Sequence, residues 1–126
     1  MKISSILIDT HVLLWVLSKS KRLKDIPWIA DYPVWTVSPV SLLEIKFLIE
    51  SDRIDLELPT LLLQLRKDPN FYIDPISLEA VCMAALDMTW TRDPFDRLLV
   101  AHSQARGIPF GTHDGCILKN YQNVVT

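Results

Sequence analysis

At 126 residues the chain is long enough to bury one core and too short for two, so residues 1–126 are expected to form a single domain. Its 49% apolar and 22% charged residues are those of a globular protein, and a mean hydropathy of +0.20 points to apolar surface that a partner covers. A net charge of −2 argues against the strongly basic face of a general nucleic-acid binder.

Ile3 to Ile8 is a short, largely apolar run that predicts a buried strand ending at Asp9, and Thr10 to Leu17 has the length and start signal of a helix. Asp9 and His11 interrupt this N-terminal stretch and no small-residue cleavage site follows, so a signal peptide is not expected. The longest unbroken apolar run, Val12 to Leu17, is far below the ~20 residues that span a bilayer, and no membrane association is expected. Lys19 to Lys24 reads as a basic loop and Pro27 to Asp31 as a short helical piece. Val34 to Val37 reads as a second strand from its branched and aromatic residues, ended by Ser38-Pro39.

From Ser41 to Glu50 the positions of Leu42, Leu43, Ile45, Leu48 and Ile49 predict a well-buried helix, and Pro59 starts another that runs through Leu61 to Arg66. Phe71 to Ile73 is the third predicted strand. Ser77 to Asp87, carrying Ala80, Val81, Ala84 and Ala85, is a predicted helix, and Asp93-Pro94 opens a further one, Pro94 to Arg106, closed by Gly107. Ile108 to Thr112 and Asn123 to Val125 supply strands four and five. Strands separated by helices need crossover connections, which predicts an α/β fold: a parallel five-stranded sheet flanked by helices in three layers. The cysteines, Cys82 and Cys116, form no dense framework, and a reduced, cytoplasmic protein is expected.

Four acids attract attention within this frame. Asp9 follows strand one and Asp114 lies just beyond strand four, so a parallel sheet projects both from its carboxyl-terminal edge. Glu44 is predicted in the first turn of the helix after strand two, and helices that follow a strand begin at that edge. Asp96 is predicted in the first turn of the helix that feeds strand four, so that helix also starts there. Lateral spacing stays open, because connectivity does not determine strand order. Crowded carboxylates raise one another's pKa and are stable when protonated or when they hold cations. Hard oxygen donors without a His/Cys set select Mg²⁺ or Mn²⁺ over Zn²⁺. Such ions orient and activate water for in-line attack on a phosphodiester, so the reaction class is hydrolytic phosphodiester cleavage. Neutralising four negative charges also takes the net charge from −2 to +2, which is compatible with binding phosphates.

Each acid has a structural alternative. Ser41-Leu42-Leu43-Glu44 has the form of a capping box. Asp93, Pro94 and Asp96 fit an N-cap, a first helical residue and an acid at the positive end of the helix dipole, and for Asp93 the cap is the preferred reading. Asp9 could cap the helix that follows it and Asp114 could shape a turn before Gly115. Thr10 and Thr112 are supporting candidates that could hold a carboxylate or a water, with turn and cap bonding as the alternative. Arg92 and Arg97 are candidates for substrate phosphates, and Lys19, Lys21, Arg22 and Lys24 for guiding the strand, against the alternative of a solvated basic loop. His102 shares a face with Leu98 and Leu99, which predicts a partly buried histidine with a hydrogen-bond partner. His11 and His113 flank acids but are expected to point elsewhere. Trp15, Trp28, Trp35 and Trp90 are assigned to core or interface rather than to base stacking.

The strings Leu7-Ile8-Asp9-Thr10-His11-Val12-Leu13-Leu14-Trp15, Ser38-Pro39-Val40-Ser41-Leu42-Leu43-Glu44-Ile45 and Arg92-Asp93-Pro94-Phe95-Asp96-Arg97-Leu98-Leu99-Val100-Ala101 resemble the PIN-domain family, and within it the VapC-type ribonuclease toxins. The resemblance covers almost the whole chain. It aligns the family's acids with Asp9, Glu44, Asp96 and, after Thr112, Asp114. It implies a five-stranded parallel sheet with strand one beside strand four, Mg²⁺ or Mn²⁺ as cofactor, RNA as substrate, homodimers and a cognate antitoxin. Two departures are Gly111, where an aliphatic residue is usual, and the absence of a glycine between Ser51 and Asp55. Two rival readings fit the residues less well. A phosphatase of the haloacid dehalogenase type needs a second Asp where His11 stands, and a non-catalytic PIN-fold scaffold would be expected to have lost acids.

Overall fold

The computed structural model describes residues 5–126. Its five strands are β1 (Leu7–Ile8), β2 (Trp35–Val37), β3 (Phe71–Ile73), β4 (Phe110–Gly111) and β5 (Val124–Val125). All neighbours pair in parallel, in the order β3-β2-β1-β4-β5. The chain therefore winds outward from β1 to β3, returns to the other side of β1, and leaves a topological switch point between β1 and β4. The first two residues of the predicted first strand, Ile3 and Ser4, lie outside the described residues. Strand β3 has the predicted bounds, and the other strands are shorter than predicted, most clearly β4, which pairs only over Phe110–Gly111.

Helices cover both faces. On one, α1 (Thr10–Leu17), α2 (Pro39–Glu50) and α3 (Leu58–Lys67) bury Val12, Leu13, Ile45, Leu61 and Leu65 against Ile6, Ile8, Val37 and Phe71. On the other, α4 (Leu78–Ala85), α5 (Pro94–Arg106) and α6 (Gly115–Asn120) bury Val81, Leu99, Val100 and Ile117 against Leu7 and Phe110. Leu7 and Ile8 thus serve opposite cores, as a central parallel strand must, and this explains why Ile6 to Ile8 is continuously apolar. Among the described residues no helix is long and apolar enough to cross a membrane.

Three local features differ from expectation. Helix α2 begins at Pro39, two residues before the predicted start, because Pro39 is preset for the first helical position and Ser38 Oγ accepts the Val40 N–H at 3.2 Å. The predicted basic loop contains a 3₁₀ turn, Lys21–Asp25, capped by Ser20. Helix α6 was not predicted at all, and its N-cap is Asp114, whose Oδ1 accepts from the N–H groups of Cys116 and Ile117 at 2.9 and 3.1 Å.

Candidate active site

The carboxyl edge at the switch point is built around Asp9. Placed directly after β1, it is 5% exposed, and both carboxylate oxygens are held: Oδ1 accepts from Thr10 N and Oδ2 from Thr112 Oγ1, each at 2.7 Å. Thr112, fully buried after β4, also accepts the Asp114 N–H at 3.0 Å, so one hydroxyl fixes the first acid and the loop bearing the last. Thr10 Oγ1 is 2.8 Å from Ser41 Oγ, which links α1 to the helix carrying Glu44.

Glu44 lies in the second turn of α2, not the first, because the helix starts at Pro39. The capping box proposed for it is therefore absent, and Ser38 performs that role. Its carboxylate is buried, and Oε1 has no hydrogen-bond partner among the described residues. A buried anionic oxygen without a donor is costly unless something else compensates it. Asp96 stands half-buried in the first turn of α5, where Asp93 takes the predicted cap position by accepting from Phe95 N and Asp96 N.

Asp9, Glu44, Asp96 and Asp114 line one cleft of about 360 Å³, together with His11, Phe47, Arg53, Asp93 and Phe95. Their electrostatics are those of a site with too few cations. Burial pushes the Asp9 carboxyl above its ordinary value, against the Thr112 hydrogen bond, and Asp114 adds to the rise. Burial likewise raises Glu44, opposed in part by the nearby Thr10 hydroxyl and reinforced by the charge of Asp9. Asp96 is pushed up to about 7, first by burial and then by the charges of Asp93, Asp9, Asp114 and Glu44. Among the described residues no three acids, histidines or cysteines stand close enough together to form a ready metal-binding group, so the four acids share a cleft without being gathered at one point.

A family model for the PIN domain matches residues 6–120. The chain belongs to the PIN domain family. Its fold is similar to that of a chain in a toxin-antitoxin complex from Klebsiella pneumoniae, with a TM-score of 0.69, 18% identity and 96% of each chain covered. A second similar structure is VapBC2 from Rickettsia felis bound to a DNA fragment from their promoter, with a TM-score of 0.64, 12% identity and again 96% of each chain covered. No curated protein sequence matches the chain significantly.

In this PIN domain the four acids offer the carboxylate oxygens that a hard divalent cation prefers, one of them buried without a partner, in a cleft that His11 also lines and whose acids gain from added positive charge. The other predicted residues divide. Thr10 and Thr112 belong to the framework of the cleft. Neither Arg92 nor Arg97 is among the residues lining the cleft. Arg97 is engaged elsewhere, donating from Nε and Nη2 to the carbonyls of Ala85 and Leu86 at the end of α4. His11 and His113, expected to point elsewhere, both line a smaller cleft that shares Asp9 and Asp114. Phe47, Arg53 and Phe95 were missed. Phe47 had a signal, being three residues after Glu44 and so on its side of the helix. Arg53 had none.

Proposed function

We propose that this PIN domain is a divalent-metal-dependent endoribonuclease that hydrolyses RNA phosphodiesters, and that it is the toxin of a toxin-antitoxin pair acting in the cytoplasm. The observation that carries the reading is the convergence of Asp9, Glu44, Asp96 and Asp114 on one cleft at the switch point, with Glu44 Oε1 lacking a donor. Asp9, Glu44, Asp96 and Asp114 would hold Mg²⁺ or Mn²⁺, which when bound supplies water activation and neutralises charge growing on the phosphate. The chain's own residues orient that set. Thr112 Oγ1 and the Thr10 N–H fix both oxygens of Asp9, and Thr112 fixes the Asp114 backbone. Ser41 and Thr10 couple α2, which carries Glu44, to α1, which follows Asp9.

The toxin role rests on the family and on the two structural neighbours, whose descriptions name a toxin-antitoxin complex and VapBC2. A protein partner, with a second copy of the chain and an antitoxin as the occupants we infer, accords with Leu78, Met83 and Leu86 on and just after α4. Each is more than 60% exposed. The test is cleavage of single-stranded RNA by the purified, partner-free protein in Mg²⁺ or Mn²⁺, beside an Asp9→Asn variant. Cleavage confined to the wild type with metal is expected, and equal activity in both, or in neither, contradicts catalysis. Expression in a bacterial host should arrest growth, relieved by the small protein encoded beside it.

A further inference from the structure

The carboxylate cleft does not end at Asp114. Continuous with it, and sharing Asp9, His11 and Asp114, is a second cleft of about 150 Å³, lined also by Val12, Trp15, Arg22 and His113. Its chemistry is opposite to that of its neighbour. The Arg22 guanidinium carbon lies 4.6 Å from the centre of the Trp15 ring, and the His113 ring meets the same indole edge-on with 6.1 Å between centroids. Arg22 Nε donates to Asp25 Oδ2 at 3.0 Å, and its backbone N–H is held by Ser20 Oγ at 3.1 Å. Among the described residues its terminal nitrogens make no hydrogen bond.

We propose that this second cleft is a nucleotide subsite for the RNA strand, in which Arg22 takes the phosphate next to the scissile one and the adjoining base seats against His113 beside the Arg22–Trp15 stack. The proposal rests on the nuclease reading above and adds to it the path the strand follows. Three observations favour it. A strand whose scissile phosphate sits among four carboxylates needs cationic support on the neighbouring phosphate; Arg53 lies within the carboxylate cleft itself, and Arg22, held by Asp25, is the cation of the adjoining cleft. The guanidinium is already stacked and tethered, so little side-chain freedom remains to be lost on binding. Because that guanidinium lies over the Trp15 ring, a base would use the His113 imidazole and the outer guanidinium plane, surfaces that stack any base and so favour single strands without strict sequence choice. Lys19, Lys21 and Lys24 are exposed around the same turn and add to its positive charge.

The experiment measures binding separately from cleavage. A short fluorescein-labelled single-stranded oligoribonucleotide is titrated in Mg²⁺ onto protein carrying Asp96→Asn, which slows turnover and lies outside the second cleft, and fluorescence anisotropy is read over a range of salt. Adding Arg22→Gln should weaken binding about tenfold and lower the salt slope by about one unit, as loss of one phosphate contact does. Arg22→Lys should restore the slope but not the full affinity, and His113→Ala should weaken binding without changing the slope. In the otherwise wild-type enzyme, Arg22→Gln should raise KM for the oligomer and leave kcat and Mn²⁺ affinity unchanged. Unchanged RNA binding in Arg22→Gln overturns the subsite, as does an equal loss of Mn²⁺ affinity, which would mean that Arg22 shapes the carboxylate site instead. If wild-type protein binds the oligomer through Arg22 yet cleaves nothing, the nuclease reading fails while the subsite stands.

Discussion

Asp74, after β3, and Asp9, after β1, lie on opposite sides of β2, and the two acid sites are built on opposite rules. Asp74, just after β3, is 3% exposed and fully partnered: Arg106 donates from Nε and Nη2 at 2.8 and 2.6 Å, and His102 Nε2 donates at 2.9 Å. The other ring nitrogen of His102, itself completely buried, is 2.8 Å from Ser38 Oγ. Burial alone would push Asp74 up, but the hydrogen bonds and charges of Arg106 and His102 outweigh it and hold its carboxyl below the ordinary value. In the cleft of Asp9, Glu44 and Asp96 burial wins, and all three carboxyls rise. On the proposed function, the difference separates an acid that holds the fold together from acids that would hold a cation. At Asp74 the donors and cations outweigh burial, whereas at Asp9, Glu44 and Asp96 burial and neighbouring carboxylates outweigh the donors, and such perturbed acids in a cleft mark a candidate site.

The largest effect should come from breaking the satisfied side. Asp74→Ala leaves His102 buried without its acceptor and frees Arg106, and should cost about 3 kcal/mol of stability by urea unfolding. This is the lower end for a buried pair because Arg106 is 45% exposed. RNA cleavage at a temperature where the variant is folded should persist. The mirror experiment is Asp96→Asn, which should reduce cleavage ~100-fold or more, as loss of a metal-oriented group does, while leaving the metal-free protein as stable as wild type or more so. A stability loss in Asp96→Asn matching that of Asp74→Ala would abolish the distinction.

The pH dependence sharpens the contrast and has opposite signs on the two sides. Asp96 in the folded protein titrates near 7, above its unfolded value of 3.8, so its penalty is fully present above pH 7 and is relieved as the pH falls toward 4. The metal-free protein should therefore melt a few degrees higher at pH 5 than at pH 8, and Asp96→Asn should flatten that rise. Asp74, with its depressed pKa, contributes stability that is present above 3.8 and lost only as the pH falls through its lower folded value. The Asp74→Ala variant should thus keep the rise between pH 8 and 5 and lose the acid-side fall. The smallest effect should come from Ser38, which touches both regions by capping α2 and meeting His102. Ser38→Ala should cost about 1 kcal/mol in a denaturant titration and weaken Mn²⁺ binding only slightly, through a looser Glu44 helix.

How much of this could be read in advance follows from what sequence encodes locally. Strand and helix existence, the α/β class and the edge on which the acids sit follow from apolar runs and connectivity, which is why Asp9, Glu44, Asp96 and Asp114 were found together. Element ends were less legible, since Ser38-Pro39 is both a strand stop and a helix start, and the shift moved Glu44 by one turn. Helix α6 is six residues long and begins with Gly115, so it lacks the periodicity that would reveal it. The departures at Gly111 and after α2 acquire reasons only in three dimensions. A Cβ on Gly111 would lie 2.4 Å from Cη2 of Trp28, and Asp52 supplies the left-handed turn at φ 57° that a glycine would otherwise make. The His102–Asp74 pair and the approach of Arg22 to Trp15 join distant segments or depend on side-chain placement, which no spacing rule captures.

Calorimetric titration of Mn²⁺ into the partner-free protein near pH 6.5, with Asp9→Asn, Glu44→Gln and Asp74→Asn alongside, tests the four-carboxylate site without relying on any substrate. Binding by wild type and Asp74→Asn with release of protons, and its loss in the other two, is the expected pattern. Equal binding by all four proteins, or by none, would mean that these carboxylates do not share an ion.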